Sequence, residues 1–283
     1  MRSLVFPPTF TTKRMRSDFD LIVHQLPSAP EIKLYFVGDL HVGAIECNRK
    51  AWEDFCHKVL ADKHAYICIL GDLLDNGTKQ SVTNCFDSSM RPREQKKYLM
   101  DCLKPLSERI LCGCQGNHEY RNRDVDDDPL YDIFCKLDLE DLYRQNACFV
   151  KLNVGGRNNG YGGEKPLQVY TVCMLHGTGG GILSGATINR NERFSYVLEG
   201  VDILAVGHTH KGIISKPSRI CLNAHSNSVT QKSMTVISAC SWLSYGGYAL
   251  NKMLLPHQAQ DVEHPQTVLL GGLRDKRYIK TIW

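Results

Sequence analysis

The chain has 283 residues, of which 42% are hydrophobic and 23% are charged, and its formal net charge is +4. This composition is that of a globular protein with enough chain for one large domain or two small ones, and the charge is too small to indicate nucleic-acid binding by itself, although it permits an anionic substrate. No apolar run approaches the roughly 18 residues needed to span a membrane, so we expect no membrane partner.

The first thirty residues combine four prolines with mixed charge. We predict that residues 1–30 form an N-terminal arm or an irregular first strand packed on the domain. The segment has no long apolar core of the kind that a secretory signal needs. Because no internal repeat or low-complexity linker follows, residues 31–283 are predicted to form a single domain.

Apolar runs alternate with amphipathic ones in the first half of the chain. Glu31–Val37 and Tyr66–Leu70 are predicted strands, the second continuously apolar as in a sheet that is covered on both faces. A helix is predicted between them from about Asn48, a plausible N-cap, because apolar residues follow it at helical spacing. Arg93–Glu108 is predicted to be helical until a proline kinks or ends it, and Arg109–Cys114 is the third strand. This alternation predicts α/β layering with at least part of the sheet parallel.

The second half of the chain consists mainly of short apolar runs and turns. A charge run, Arg121–Asp128, is predicted to be a solvated loop. Helices are predicted at Pro129–Leu139 and Thr187–Leu198. Strands are predicted at Phe149–Val154, Leu167–Leu175, Val201–Val206, Lys211–Ile220, Met234–Ala239, Thr267–Leu270 and Tyr278–Ile282.

The 12 cysteines are scattered along the chain rather than grouped. Cys112 and Cys114 are two positions apart, and no second pair has the spacing of a zinc ribbon, which argues against a cysteine-based zinc site. A long chain with scattered cysteines and no visible signal peptide is typical of reduced, mostly buried thiols. We therefore expect a cytoplasmic protein.

Side chains of metal-binding types follow five of the predicted strands. They are Asp39, His41, Asp72, Asn117, His118, His176, His208 and His210. Ligands bind outside the carboxyl ends of the strands in open α/β sheets, so these positions favour a shared site. Carboxylate, amide and imidazole donors together suit Mn²⁺, Fe or Zn²⁺ better than Mg²⁺, which prefers oxygen ligands. One carboxylate can bridge two ions about 3.5–4 Å apart, an arrangement used to hydrolyse phosphate esters.

Five short motifs contain these residues: GDLH at 38–41, GDLLDN at 71–76, GNHE at 116–119, HG at 176–177 and GHTH at 207–210. In this order, and each after a strand, they resemble the motifs of the calcineurin-like metallophosphoesterases. The chain is most similar in character to the DNA-repair exonucleases and to stand-alone bacterial and phage phosphodiesterases of that superfamily. The resemblance implies an α/β fold, a four-layer α/β/β/α sandwich with the metals at the carboxyl ends of the strands.

The resemblance also implies roles for individual residues. One metal would be held by Asp39, His41, Asp72 and His210, and the other by Asp72, Asn117, His176 and His208. His118 would protonate the leaving oxygen, with Asp75 as its orienting partner, while a metal-bridging hydroxide attacks phosphorus. The two divalent ions are expected to be Mn²⁺, with Fe, Ni or Zn as alternatives.

The residues beside the second and third motifs bear on the substrate. Protein phosphatases of this superfamily carry Arg at both places, where Asn76 and Gln115 stand here, so the bidentate grip on a phosphomonoester dianion is missing. This favours hydrolysis of a phosphodiester, with a DNA or RNA nuclease as one form of it. A phosphomonoesterase is the alternative, and a non-catalytic interaction module on the same fold is a third hypothesis.

The expected partner is a phosphoester substrate, nucleic acid among the options, and the oligomeric state is left open. Candidate substrate contacts are Asn76, Lys79, Arg121 and Trp242. Basic residues around 79–97 either contact a nucleic-acid backbone or form a solvated helix face. Trp242 belongs to a Gly-rich aromatic stretch, residues 241–248, whose rings either stack on a base or pack in the core.

Overall fold

A computed structural model describes residues 17–78, 81, 88–125, 127–158, 164–165, 167–263, 265–274 and 276–283. The strands, numbered in chain order, are β1 (Ile22–Leu26), β2 (Glu31–Val37), β3 (Ala65–Ile69), β4 (Ile110–Cys114), β5 (Tyr143–Arg144), β6 (Ala147–Val154), β7 (Arg157–Asn158), β8 (Glu164–Lys165), β9 (Gln168–Leu175), β10 (Ile203–Val206), β11 (Ile213–Ser215), β12 (Ser218–Asn223), β13 (Ser228–Ser233), β14 (Thr235–Ser238), β15 (Thr267–Gly271) and β16 (Ile279–Ile282). The helices are α1 (Arg49–Ala61), α2 (Pro92–Leu103), α3 (Pro129–Lys136), α4 (Ser184–Ser195) and α5 (Gly247–Asn251).

Two six-stranded sheets form the centre of the molecule. Sheet I has the strand order β16-β15-β2-β3-β4-β5, and its strands from β2 to β5 are parallel. Sheet II has the order β1-β6-β9-β10-β14-β11, with β9, β10 and β14 parallel to one another. Parallel strands place their carboxyl ends at one edge, so each sheet has an edge at which several strand ends meet.

The side chains of β2 show how the layers are held together. Ile32, Leu34 and Phe36 are buried between the two sheets, whereas Tyr35 and Val37 are buried on the opposite face, against helices. Successive side chains of a strand point to opposite faces, so a strand with both faces covered must be apolar at nearly every position. This accounts for the continuous apolar run in the sequence.

Helices cover the outer faces of both sheets. The first sheet is covered by α1, α2 and α3, and the buried face of α1 includes Trp52, Phe55 and Val59. The side chain of Asn48 accepts a hydrogen bond from the Ala51 amide at 3.0 Å and caps that helix. Helix α4 contacts β14 and β11 of sheet II, and Leu198, which follows the helix, is buried against that sheet. The predicted α/β fold with four layers is thus confirmed.

The structure differs from the sequence prediction in the region after residue 211. The predicted strand Lys211–Ile220 is interrupted, and a hairpin of β12 and β13 follows. Pro217, which stands between β11 and β12, has no amide hydrogen and cannot donate to a strand ladder. Part of the N-terminal segment, β1, pairs in parallel with β6, while residues 1–16 lie outside the described part of the chain. Within the described ranges, no helix combines the length and apolar character that crossing a bilayer requires.

Candidate metal centre

The predicted ligands follow strands of both sheets. Asp39 and His41 come after β2, Asp72 after β3 and Asn117 after β4, all in sheet I. His176, His208 and His210 come after β9 and β10 of sheet II. Because the strand ends of the two sheets face one another here, side chains that are up to 171 positions apart in the sequence meet at one place.

Five of these residues have a left-handed backbone, with positive φ at Asp39 (52°), His41 (48°), Asp72 (50°), His208 (68°) and His210 (55°). Only a few per cent of non-glycine residues adopt this conformation, and each costs of order 1–3 kcal/mol. Neighbouring turns hold it in place: the Asp39 amide donates to the Gly71 carbonyl at 3.1 Å, and the His208 amide donates to Asp39 Oδ2 at 2.9 Å. The backbone strain is concentrated where the side chains must converge.

The first donor cluster contains Asp39, His41 and His210. His210 Nε2 lies 3.2 Å from Asp39 Oδ1 and 3.2 Å from His41 Nε2. Asp39 is fully buried, and among the described residues no side chain or amide donates a hydrogen bond of good geometry to its Oδ1 atom, although His210 Nε2 approaches it. A buried carboxylate oxygen without a donor is costly, and a bound cation would remove that cost.

The second donor cluster contains Asp72, Asn117, His176 and His208. His176 Nε2 lies 3.2 Å from Asp72 Oδ2 and 2.9 Å from Asn117 Oδ1. His208 Nδ1 lies 2.6 Å from Asn117 Oδ1 and 3.2 Å from His176 Nε2. The four side chains therefore present two oxygens and two nitrogens to one small volume, which suits a first-row divalent ion.

Asp72 stands between the two clusters. Its Oδ2 atom is 3.2 Å from His176 Nε2 in the second cluster and 3.9 Å from His41 Nε2 in the first. A single carboxylate oxygen thus faces both sets of donors, as a bridge between two ions requires. The residues present fit a pair of divalent ions, on the evidence of the unpartnered Asp39 oxygen and the mixed oxygen and nitrogen donors.

The ring orientation of His176 is fixed from outside the cluster. Its Nδ1 atom lies 2.7 Å from the Leu70 carbonyl oxygen, which can only accept, so Nδ1 carries the proton and donates it. The Nε2 atom of the neutral ring is then left free to face the donor cluster. Such outer contacts are typical of histidines that bind metals.

Burial and neighbouring charges shift the pKa values at the centre in opposite directions. Burial lowers the pKa of His41 well below its usual value, and His118 adds to this effect. Burial alone would raise the pKa of Asp72, but His176 outweighs it and holds that pKa well below the usual range. Burial opposes protonation of His176, yet Asp72 raises its pKa to about 10. A cation that binds Nε2 of His176 must therefore displace a proton.

Glu119, the last residue of the GNHE motif, holds the turns of sheet I together. Its Oε2 atom accepts hydrogen bonds from the amides of Asp72 (2.8 Å) and Gly116 (3.0 Å). Its Oε1 atom accepts from the amides of Leu73 (2.9 Å) and Leu74 (3.1 Å). Burial and the Asp72 charge raise the pKa of Glu119 to about 8, while these amides act against that rise. The sequence alone does not indicate a role for Glu119, because nothing local shows which distant amides donate to its carboxylate.

His118 lies beside the donor clusters and contacts both predicted neighbours. Its Nδ1 atom lies 2.7 Å from the Asp75 backbone carbonyl and 3.6 Å from the Asp75 carboxylate. Its Nε2 atom lies 2.8 Å from a guanidinium nitrogen of Arg121 and 3.9 Å from Asp72 Oδ2. The carbonyl of Asp75, rather than its carboxylate, makes the shorter contact with the ring. The arrangement leaves Nε2 on the side of the clusters.

Arg121 reaches the site because the predicted solvated loop is wrong at its start. Glu119–Val125 forms a short 3-10 helix, which turns the Arg121 side chain back onto the motif. Its guanidinium donates to the Asp75 carbonyl at 2.9 Å as well as contacting His118. Burial lowers the pKa of Arg121 and nearby carboxylates raise it again. The Arg121 guanidinium therefore lies against the proton-transfer candidate.

Two of the predicted substrate contacts have buried side chains that meet partners inside the protein. Asn76 is buried, and its side-chain amide donates to the His118 carbonyl at 2.8 Å and to Asn122 Oδ1 at 3.1 Å. Trp242 is fully buried with its ring 4.9 Å from that of Phe55, so it packs in the core rather than against a ligand. Lys79 lies outside the described residues.

The fold and the site define a class of protein, a metal-dependent phosphoester hydrolase. The family model described as calcineurin-like phosphoesterase matches residues 32–212, and the chain belongs to this family. No curated protein matches the sequence.

Solved structures with low similarity were also found. One is a conserved uncharacterized protein, a predicted phosphoesterase from Streptococcus pneumoniae TIGR4, at 11% identity and a TM-score of 0.33, covering 90% of this chain and 99% of the other. Another is a metallophosphoesterase from Sphaerobacter thermophilus, at 12% identity and a TM-score of 0.31, covering 84% of this chain and 83% of the other.

Proposed function

We propose that the protein hydrolyses a phosphodiester with two divalent metal ions. The observation that carries the proposal is the pair of donor clusters that share Asp72, with the His118 ring beside them. Asp39, His41, Asp72 and His210 would hold one ion, and Asp72, Asn117, His176 and His208 the other. Bound ions would neutralise phosphate oxygens and lower the pKa of a water molecule.

We assign the proton-donating role to His118. The Asp75 carbonyl accepts from Nδ1, which leaves Nε2 to deliver a proton to the leaving oxygen. Burial lowers the pKa of His118; Asp72 opposes this effect and Arg121 reinforces it. When substrate enters, the Arg121 guanidinium would turn from Nε2 to the phosphate. Nε2 is then free to hold the proton.

The contacts of Asn76 and Gln115 support a diester over a monoester. Both stand where related protein phosphatases carry arginine, and neither side chain is directed to the clusters: Asn76 is buried, and Gln115 donates to Asp128 at 2.8 Å. Among the described residues that line the cleft, Arg121 is the arginine, and its guanidinium lies beside His118. One guanidinium matches the single negative charge of a diester better than the double negative charge of a monoester. Because Arg121 could also bind a monoester, a phosphomonoesterase is the second candidate.

A nuclease is the form of this activity that a second cleft supports. The cleft lies between α2 and α3, has a volume of about 390 Å³, and is lined by Arg93, Lys96 and Lys136 as well as by Asn76. Lys96 pairs with Asp132 at 2.8 Å, whereas Arg93 and Lys136 have no ion pair within the part of the chain that the structure describes. Such cations can contact a nucleic-acid backbone.

We also propose that Mn²⁺ is the ion and that the protein is cytoplasmic.

The proposal is tested by assaying the purified chain on bis-p-nitrophenyl phosphate, p-nitrophenyl phosphate, and single- and double-stranded DNA. Each assay is repeated with Mn²⁺, Fe²⁺, Ni²⁺ and Zn²⁺. We expect Mn²⁺-dependent turnover with a higher kcat/KM on the diester. A faster monoester reaction would favour the second candidate, and absence of turnover with every metal would favour a non-catalytic module.

Replacement of Arg121 by Ala is expected to lower kcat/KM on the diester by about 10- to 100-fold, because a charge-assisted hydrogen bond is worth roughly 1.5–3 kcal/mol. The change should appear mainly in KM. Arg123→Ala is the matched control, since Arg123 stacks on the Tyr120 ring, 4.9 Å from its centroid. Equal losses in the two variants would contradict a phosphate contact by Arg121.

A further inference from the structure

The cleft that contains the donor clusters has two walls of different chemistry. Its volume is about 450 Å³, within the range of small-molecule sites. One wall carries His118, Arg121 and five of the seven predicted ligands. The other consists mainly of apolar and aromatic side chains, with Ser244 between them, and includes Leu243, Tyr245, Tyr248, Ala249, Leu254 and Leu255. We call these six residues the apolar wall. Hydrolysis of a phosphate group does not by itself require such a surface.

The apolar wall is fixed to the metal centre through Trp242. The Trp242 amide donates to the Asp39 carbonyl at 3.2 Å, and its own carbonyl accepts from Asn48 at 3.2 Å. Its indole is buried among Trp52 and Phe55. The buried tryptophan thus anchors the chain at a ligand-bearing turn, and the next residues lead from there into the cleft. The position of the wall relative to the donor clusters follows from this anchor.

Two tyrosines make the wall suitable for a flat ring. The exposed fractions of Tyr245 and Tyr248 are 47% and 49%, so each ring has a free surface. The Tyr245 hydroxyl donates to the Leu254 carbonyl at 2.8 Å, which joins the two ends of the segment and holds that ring in place. Rings that are already ordered lose little conformational entropy on binding a ligand.

We propose that the apolar wall binds a flat aromatic ring carried by the phosphoester substrate, and that a nucleobase is this ring. The inference rests on the proposed function for the position of the phosphate. With the phosphate at the donor clusters, a substituent that remains in the cleft faces the apolar wall. Stacking on aromatic side chains accepts any base, because every base has a π-face, so the wall needs no hydrogen-bonding groups.

The inference is tested by isothermal titration of the Mn²⁺-loaded chain with adenosine 5′-phosphate and with ribose 5-phosphate. These ligands share the sugar and phosphate and differ in the base. We expect adenosine 5′-phosphate to bind at least about 5-fold more tightly, since one stacked base contributes a factor of roughly 5 to 100. Tyr248→Ala should remove most of this preference, whereas Tyr248→Phe, which keeps the ring, should retain it.

Leu250→Ala is the matched control, because Leu250 lies in the same helix, is 59% exposed and does not line the cleft. Equal affinity for the two ligands, or an equal loss for both in Tyr248→Ala, would overturn the inference. Turnover of bis-p-nitrophenyl phosphate is measured on the same samples. Base-dependent binding without turnover would contradict the proposed function and support the aromatic subsite. Turnover without a preference for the base would support the proposed function and contradict the aromatic subsite.

Discussion

Replacing His118 by Asn is expected to lower kcat by about 10²–10⁴-fold while both metal ions stay bound. Asparagine can occupy the space and accept or donate hydrogen bonds, but it cannot transfer a proton at neutral pH. The loss should be larger for a diester with an alkoxide leaving group than for one with p-nitrophenolate. An alkoxide is the stronger base, so its departure depends more on receiving a proton. Rates on both esters and the metal content of the purified variant measure this.

His225→Asn provides the matched control, since His225 is exposed on the β12–β13 hairpin. His118 also lies in a group with His41 and Asp72 whose atoms are close enough to share an ion. If the His118 variant loses one metal ion, His118 is a ligand and the assigned proton transfer is wrong. An equal loss of rate on the two esters would also contradict proton donation to the leaving oxygen.

The second large effect is expected at Glu119. In Glu119→Gln, an NH₂ group replaces one carboxylate oxygen. This group would face the two backbone amides that donate hydrogen bonds to that oxygen in the native protein. Leaving buried donors without an acceptor costs about 1–3 kcal/mol each, so the loss of two acceptors should lower the free energy of unfolding by about 2–6 kcal/mol. Urea denaturation of the metal-free protein at a pH above the Glu119 pKa of about 8, where the side chain is a carboxylate, measures the change without a contribution from bound ions.

Metal binding should weaken in the same variant, because the four amides include those of Asp72 and Leu73, and their displacement moves the shared carboxylate. Glu108→Gln, at an exposed position, is the control for the loss of a negative charge. A Glu119→Gln protein with unchanged stability and metal affinity would show that the four hydrogen bonds do not support the site.

The sequence allowed the family, the layered fold and the order of the ligand-bearing turns to be predicted, because each motif stands at the end of a recognisable strand. Parallel strands bring their carboxyl ends together within one sheet, so the meeting of Asp39 with Asp72 was predictable from the same regularity. The convergence of Asp39 with His208 and His210 joins the two sheets, and it was predicted from the resemblance to the family. These predictions depend on local patterns and on the positions of strand ends.

The remaining contacts depend on tertiary structure, which local patterns do not contain. The amides bound by Glu119 lie up to 47 positions away. Arg121 looked solvated within its charge run, and only the 3-10 turn directs it to His118. Trp242 and Tyr248 belong to one aromatic stretch, yet the first is in the core and the second is half exposed in the cleft. Aromatic residues serve both purposes, so composition could not separate them.

The division of the ligands between sheets I and II has a consequence for the lifetime of the protein. Asp72 belongs to one sheet and His176 to the other, with 3.2 Å between their donor atoms. An ion bound at this position would be a reversible cross-link between the two halves of the sandwich. At a free metal concentration 100 times Kd, binding to the native state alone adds about 2.7 kcal/mol of stability. Metal supply would then set resistance to proteolysis as well as catalytic rate, so starvation for the ion would shorten the life of the folded chain.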